Sequence, residues 1–375
     1  MLRLEHDFSL ACLAKVTDPR VKRQRRHKLM DILVIALCGF IAGSESWVDV
    51  ELFGRSKRRW FEEFLELPHG IPSHDTFGRV FALLNPDELV SVLQEFVQGV
   101  VGSLANEPIA IDGKTLANSG DAKTGKTALH LVSAWATGKG VVLGQVATAD
   151  HSNEITAIPR LLRLLDIQGA VVTIDAMGCQ QAIARQIREQ GADYVLAVKG
   201  NQGTLEQVVG DRFRWPTAAA RTATQTLRTT EKDHGRTERR MVKAMPAPSA
   251  VQRRWPNARS IVRVARTTHR AGKRENEVRY FISSLPTEVH RLAAIIRGHW
   301  GIENRLHWSL DVTFGEDQSR IRQGHAAENA ALLRRLALSI LKQDTWYSNS
   351  LRCKRLRAGW EESALEHFLK IFSEN

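Results

Sequence analysis

Residues 169–178, GAVVTIDAMG, constrain the fold of this chain more than any other segment. The apolar run is too short for a core helix and too continuously apolar for a strand with one face in water. It is typical of a strand buried on both faces of a parallel sheet. Helical patterns flank it at residues 154–165 and 179–190, and a second apolar strand pattern follows in DYVLAVKGNQ. Helices covering both faces of a sheet predict an α/β fold.

Three further strand patterns precede this region. EPIAIDGKT contains Asp112, and LHLVSAWAT and GVVLGQVAT are joined through Gly138, Lys139 and Gly140, which predicts a hairpin. Residues 32–43 predict a buried helix, Ser73 is a candidate N-cap for the next, and residues 86–101 predict another. The chain is therefore predicted to begin with helices and to continue into an α/β sheet.

Basic charge is concentrated in one segment. The chain carries a formal net charge of +12 with a pI near 9.8, which favours a polyanionic partner, although some soluble proteins are simply basic. Residues 206–280 hold 18 Lys and Arg against 7 Asp and Glu, a balance of +11. They also contain β patterns at residues 261–267 and 278–283. This segment is predicted to be a β-rich, DNA-contacting insertion.

Cysteine usage and hydropathy limit the class of protein. The 4 cysteines form no CxxC pair, which argues against a zinc ribbon or a disulfide scaffold and favours a reducing compartment. No secretory signal opens the chain, and the apolar run at residues 32–43 is shorter than the ~20 residues of a membrane helix. We therefore expect a cytoplasmic protein with no membrane partner and no small-molecule cofactor.

Three carboxylates are candidates for chemistry. Asp112 and Asp175 lie at the ends of predicted strands, where open α/β sheets bind ligands, although either is also a plain turn former. Glu303 lies in a helical pattern in which ionisable residues recur every four positions. These residues are predicted to share one face of the helix. The alternative is an exposed helix face that carries ion pairs. The four residues of this column are His299, Glu303, His307 and Asp311.

Carboxylates of this kind suit Mg²⁺, which prefers oxygen ligands. Two such ions about 3.5–4 Å apart activate the attacking oxygen and stabilise the leaving oxygen of a displacement at phosphorus. Asp311 is the alternative third acid. A zinc site of His299, Glu303 and His307 has the spacing but lacks a cysteine ligand.

Several longer motifs occur in order: IAIDGKT, SNEITAIP, TIDAMGCQ, VKGNQG, HGRTERR and HWGIENRLHWSLDVTFGEDQSRIR. Together they resemble the bacterial insertion-sequence transposases of the H-repeat-associated branch, members of the DDE superfamily. The resemblance covers about residues 18–345. It implies a ribonuclease-H-like core, a mixed five-stranded sheet with helices on both faces, with a β-rich insertion before the last catalytic helix and a helical N-terminal domain.

The resemblance also implies roles. Asp112, Asp175 and Glu303 become the catalytic acids and ligands of two Mg²⁺ ions, with Mn²⁺ as a substitute. The partners implied are the terminal inverted repeats of the element and target DNA, to which a homo-oligomer joins the freed 3′-hydroxyl. The predicted divisions are a DNA-binding helical domain at residues 1–104, a catalytic domain at 105–345 interrupted at about 205–285, and a basic tail at 346–375.

One departure from the family concerns phosphate contacts. Related transposases place a tyrosine, an arginine and a lysine around the third acid, whereas Ile296, His299 and Leu310 stand at those offsets here. Other groups must then hold the DNA. For most of these a solvated loop or face is the alternative. The predicted DNA-binding residues are Lys114, Lys199, Asn201, Gln202, His234, Arg236, Arg240, Arg297, His299, Arg305, Arg320 and Arg322.

Two other functions remain open on the sequence alone. A structure-specific nuclease or resolvase would use the same acids on the same core, and would cut DNA without joining it to a target. A DNA-binding relic of a transposase would bind DNA in a salt-sensitive way without cutting it.

Overall fold

The computed structural model describes residues 9–120, 125–148, 154–233, 236–270 and 273–371. Contacts divide the chain into two compact units. The first unit comprises Met1–Ser103, Gly113–Asn153 and Glu303–Asn375, and the second comprises Leu104–Asp112 and Glu154–Ile302. The residues from Glu303 onward belong to the same unit as the N-terminal helices, and the predicted division along the sequence stays a prediction.

Helices occur throughout the described chain. In order they are α1 (Leu29–Ala42), α2 (Trp47–Ser56), α3 (Arg58–Phe61), α4 (His74–Leu83), α5 (Pro86–Val101), α6 (Glu154–Leu164), α7 (Gln181–Glu189), α8 (Gly203–Arg214), α9 (Ala218–Thr222), α10 (Ser249–Gln252), α11 (Val289–His299), α12 (Trp308–Phe314), α13 (Ala326–Gln343), α14 (Leu351–Trp360) and α15 (Glu362–Lys370). A π-helical segment, Ile302–His307, lies between α11 and α12.

The strands fall into two groups along the chain. The first five are β1 (Pro108–Thr115), β2 (His130–Ala136), β3 (Val141–Ala147), β4 (Val171–Ile174) and β5 (Asp193–Val198). The other four are β6 (Gln225–Asp233), β7 (Arg236–Pro246), β8 (Ser260–Arg270) and β9 (Lys273–Ser283). They form the predicted β-rich insertion, which precedes the helical segment that contains Glu303.

The first unit is built around α13, whose side chains are almost all buried. Asn329 Nδ2 donates to the carbonyl oxygens of Phe81 and Leu84, at 2.9 and 3.0 Å, which ties α13 to the end of α4. Gln145 Nε2 of β3 donates to Glu328 O at 2.8 Å. The predicted hairpin is confirmed, since β2 and β3 pair antiparallel. In place of a basic tail, α14 packs here through Lys354, whose Nζ donates to Leu341 O at 3.1 Å.

The second unit contains a mixed sheet. Strand β1 pairs parallel with β4, and β4 pairs parallel with β5. Strand β5 then pairs antiparallel with β9, and the ladder continues antiparallel through β8 and β7 to β6. The insertion therefore extends the core strands instead of forming a separate sheet. The predicted fold class, an α/β sheet with helical N-terminal residues and a β-rich insertion, is confirmed.

Helix length bears on membrane insertion. Among the described residues, no single helix is both long and apolar enough to cross a bilayer. Helices α1 and α2 reach the required length and composition only as a pair, and they bend by 96° at their junction.

Candidate active site

The sheet register brings two of the predicted acids together. In the parallel ladder of β1 and β4, Ile111 pairs with Ile174, so Asp112 and Asp175 each follow the last paired residue of their strand. Neighbouring strands lie about 4.8 Å apart. Both side chains are half-buried. Asp175 therefore follows the end of β4, whereas Asp112 lies inside β1, directly after the last residue that pairs with β4.

Asp175 has a defined electrostatic environment. Burial raises the pKa of this carboxyl above its usual value, and the nearby charge of Glu154 raises it further. Hydrogen bonds from Met177 N and Gly178 N to Oδ1, at 3.0 and 3.3 Å, act in the opposite direction, as does the positive charge of Lys199. Glu154, at the start of α6, was not singled out in the sequence, although the SNEITAIP motif contains it. A cation would stabilise the charged form of Asp175.

The loop after Asp175 needs a glycine. A Cβ at Gly178 would lie 2.3 Å from Ile174 Cγ2 and 2.8 Å from Ile158 Cδ1, both closer than such atoms approach in proteins. Asn201 Nδ2 donates to Ala176 O at 2.5 Å, which holds the same loop from the end of β5. The backbone around Asp175 is therefore fixed by close packing and by a side-chain hydrogen bond.

We expect Gly178→Ala to destabilise the protein by about 1–3 kcal/mol, because overpacking forces the surrounding residues to move. Urea unfolding of the variant measures this effect. The matched control is Gly200→Ala, since a Cβ at Gly200 has no heavy atom within 4 Å. Equal unfolding midpoints for the two variants would contradict the packing argument.

Asn201 and Gln202 are predicted to contact DNA, and in the structure the amide of each also donates a hydrogen bond within the chain. Gln202 Nε2 donates to Cys179 O at 3.0 Å, next to the Asn201 contact with Ala176. Their observed role is to hold the segment that follows β4. Lys199 remains exposed at the end of β5 and keeps its predicted role as a phosphate contact.

Glu303 lies in the π-helical segment and is exposed. In a π-helix the backbone hydrogen bonds run from residue i to i+5, so this segment is wider than the α-helix that the sequence predicts. The shared face of the four ionisable residues stays a prediction. Glu303 belongs to the first unit, whereas Asp112 and Asp175 belong to the second. Such π segments often occur at functional sites.

His299 is unsuited to its predicted DNA contact. Its Nδ1 shares a hydrogen bond of 2.9 Å with Thr173 Oγ1 of β4, two residues before Asp175. Burial, with a smaller contribution from the charge of Arg279, lowers the pKa of His299 to about 4. The imidazole is therefore neutral at physiological pH and packs against the sheet. It offers no positive charge to a phosphate.

Lys114 is likewise not available to DNA. It is buried in the first unit, with Nζ 2.7 Å from Asp311 Oδ1, 2.7 Å from Asp317 Oδ1 and 3.7 Å from Glu316 Oε2. Burial alone would lower the pKa of this amine, but the three carboxylates outweigh it and the pKa is raised. Asp311, the alternative third acid, is thus the partner of Lys114, which leaves Glu303 as the exposed carboxylate of this region.

Comparison with known proteins assigns the family. A model of the DDE transposase domain matches residues 105–340, and a model of the domain associated with it matches residues 10–97. The chain belongs to the H-repeat-associated DDE transposases. It is 38% identical to "H repeat-associated putative transposase YhhI" of Escherichia coli strain K12, over 94% of this chain and 95% of that protein. It is 36% identical to "Putative transposase YncI" of Escherichia coli O157:H7, over 96% and 94% of the two chains.

Among solved structures, a chain of the piggyBac transposase synaptic complex with hairpin DNA is a distant match. The TM-score is 0.42 and the identity is 12%, over 97% of this chain and 77% of that one.

Several arginines predicted to bind DNA in this transposase are already paired. Arg240 Nε lies 2.5 Å from Glu238 Oε1, and Arg236 Nη2 lies 3.9 Å from Glu238 Oε2. Arg297 forms a two-bond contact with Glu231, and this contact lowers the pKa of the Glu231 carboxyl. A phosphate at these arginines would have to compete with a carboxylate. His234 lies outside the described residues.

Three predicted cations of the transposase lie in the first unit. Arg305 and Arg320 are exposed. Arg322 is half-buried and its Nε donates to Asn118 O at 2.8 Å. A cavity of about 570 Å³ is lined by Arg320 and Arg322, together with Arg79 of α4. These residues retain their predicted role.

The described residues bring together only part of the ligand set that a divalent ion needs. Asp112 and Asp175, which follow the last residue pair of β1 and β4, supply the carboxylate oxygens that Mg²⁺ prefers. Within residues 9–120, 125–148, 154–233, 236–270 and 273–371, however, no three His, Cys, Asp or Glu side chains form a group that could hold a metal ion. The two aspartates fit such an ion, and a third ligand must join them.

Proposed function

We propose that this chain is the active transposase of an insertion sequence. It binds the terminal inverted repeats as a homo-oligomer, cleaves a DNA strand at each end of the element, and joins the freed 3′-hydroxyl to target DNA. The observation that carries the proposal is the register of β1 and β4, in which Asp112 and Asp175 each follow the last residue pair of the two strands. Membership of the DDE transposases gives that pair its chemistry.

Asp112, Asp175 and Glu303 are the proposed ligands of two Mg²⁺ ions, with Mn²⁺ as a substitute. When bound, the ions supply Lewis-acid stabilisation to the attacking and leaving oxygens at phosphorus. The protein residues orient this chemistry. Gly178 and Asn201 fix the loop after Asp175, and the exposed Lys199 beside that carboxyl is the proposed contact for a backbone phosphate.

The DNA partner is supported by charge. The net charge of +12 is concentrated in residues 206–280, and cations at Arg305 and Arg320 are exposed near Glu303 in the sequence. Cys38, Cys179 and Cys353 are free thiols, as expected of a protein that acts on nucleoid DNA in the bacterial cytoplasm.

The test uses the purified full chain and a labelled duplex that carries one inverted repeat found beside the coding region. With Mg²⁺ we expect strand cleavage at the repeat end and joining of that 3′ end to a supercoiled plasmid. With EDTA we expect neither product. Cleavage without joining would indicate a nuclease or resolvase, and DNA binding without either product would indicate a relic. Each of these results would overturn the proposal.

A further inference from the structure

The four strands of the insertion separate their charges between two faces. Successive residues of a strand point to opposite faces of a sheet, and residues paired across strands share a face. Arg240 pairs with Arg266, which pairs with Glu277, so these three lie on one face. Arg239 pairs with Thr267, which pairs with Asn276, so these lie on the other.

We call the first of these the covered face, because α11 packs on it. Val242, Val262 and Phe281 join Leu292 and Ile296 of α11 in one apolar cluster. By register, the acids Glu231, Glu238, Glu275 and Glu277 belong to this face. Its arginines are correspondingly engaged in ion pairs, as with Arg266 Nη2, which lies 2.7 Å from Glu277 Oε2.

The second, or open, face has a different charge pattern. By register it carries six cations, Arg228, Lys232, Arg239, Lys243, Arg263 and Arg274, and no Asp or Glu anywhere along β6–β9 as described. None of the six forms an ion pair with a carboxylate of the described residues. The positions between them are mostly Thr, His, Asn, Tyr and small apolar residues.

Helix α8 shields one end of the open face from solvent, whereas the other end is exposed. Helix α8 packs on the Tyr280 end, where Phe213 stacks on Tyr280 with ring centroids 6.1 Å apart. Arg263 pairs in register with Tyr280, Lys243 pairs with Arg263, and both cations are half-buried. α8 itself carries Glu206 and Asp211 balanced by Arg212 and Arg214. Beyond this end, Arg228, Lys232, Arg239 and Arg274 are exposed, and Val278 among them is 44% exposed.

We propose that the open face binds the sugar–phosphate backbone of duplex DNA through these six cations. This inference rests on the proposed function and assigns its DNA contacts to side chains other than the paired Arg236, Arg240 and Arg297. Six cations without an acid on the same face would repel one another unless a polyanion covered them. The covered face, where positive and negative charges nearly balance, offers no such attraction.

The size of the open face suits a duplex. From the Arg263 position to the His269 position is six residues, about 20 Å at 3.4 Å per residue. Four strands about 4.8 Å apart add roughly 14 Å of width. Duplex DNA carries one phosphate charge per about 1.7 Å of its axis, so some twelve charges pass over this length. About half of them face the protein, which compares with four exposed and two half-buried cations on this face.

The experiment compares two double variants of the full chain, each of which removes one arginine and one lysine from the same sheet. The open-face variant is Lys232→Gln with Arg239→Gln. The matched control is Arg270→Gln with Lys273→Gln, whose exposed side chains belong by register to the covered face. The affinity of each protein for a fluorescent 30-base-pair duplex of arbitrary sequence is measured from 50 to 200 mM salt. Far-UV circular dichroism and thermal unfolding check that both variants fold.

We expect the open-face variant to bind the duplex at least roughly tenfold more weakly than the wild type at 0.1 M salt. Its plot of log affinity against log salt should be shallower by about two units, because each phosphate contact contributes about 0.9 to the slope. The control should keep the wild-type slope. If the two variants show equal slopes while the wild type still binds the duplex, the assignment to the open face is overturned. Absence of salt-dependent binding by the wild type would overturn the proposed function as well.

Discussion

Asp175→Asn is expected to lower Mg²⁺-dependent strand cleavage by about a thousandfold and to leave DNA binding unchanged. Asparagine keeps the shape of the side chain and an oxygen that accepts the Met177 and Gly178 amides. It loses the negative charge that would hold a divalent ion. Metal stabilisation of the transition state is worth several kcal/mol, and each 1.36 kcal/mol is a factor of ten in rate. Single-turnover cleavage at saturating protein measures the effect.

Asp112→Asn and Glu303→Gln should give losses of the same order. Glu189→Gln is the matched control, because this exposed carboxylate at the end of α7 lies outside the proposed site. Wild-type cleavage by any one of the three acid variants would remove that residue from the active site. For Glu303 the result is especially informative, since its local structure is a π-helical segment that the sequence pattern did not predict.

Glu316→Gln is expected to destabilise the protein by about 3–5 kcal/mol, because it leaves a buried guanidinium without its charge partner. Glu316 Oε1 lies 2.6 Å from Arg335 Nη1, and both side chains have 0% exposure. The same carboxylate lies 3.7 Å from Lys114 Nζ. Urea unfolding at neutral pH, monitored by circular dichroism, measures the change in the free energy of unfolding.

Two comparisons test the cause of this loss. Glu62→Gln breaks a surface pair with Arg58, whose side chains are 43% and 59% exposed, and should cost no more than about 1 kcal/mol. Combining Glu316→Gln with Arg335→Met removes both buried charges and should restore part of the stability. A double variant less stable than the single one would show that the charge imbalance is not the cause.

Apolar periodicity predicted the parts of the fold that burial determines. The run ending at Ile174 is a buried strand, the segment from Pro86 is a helix, and the Lys139–Gly140 turn closes a hairpin. The placement of Asp112 beside Asp175 followed from the same logic, because parallel strand ends meet at one edge of a sheet. These features depend on the burial of apolar side chains, whose positions can be identified directly in the sequence.

The sequence did not predict those parts of the fold that depend on strand pairing and on local backbone geometry. Strand β6 and the first half of β7, RTERR, are mostly polar and charged, with Leu227 as their apolar residue, so hydrogen bonding to neighbouring strands decides their structure more than burial does. The π-helical segment has the same four-residue spacing as an α-helix in the sequence. Lys114 looked like a surface cation, because its three carboxylate partners lie about 200 positions further along the chain.

The alternation of charge in β6–β9 makes the length of each strand as important as its composition. Because side chains alternate with a period of two, removing one residue from the middle of β8 would transfer every following side chain to the opposite side of the sheet. Arg266 would then leave the covered face, and Thr267 and His269 of the open face would replace covered-face residues. Single-residue deletions in these hairpins should therefore be more damaging than substitution of any one of their residues.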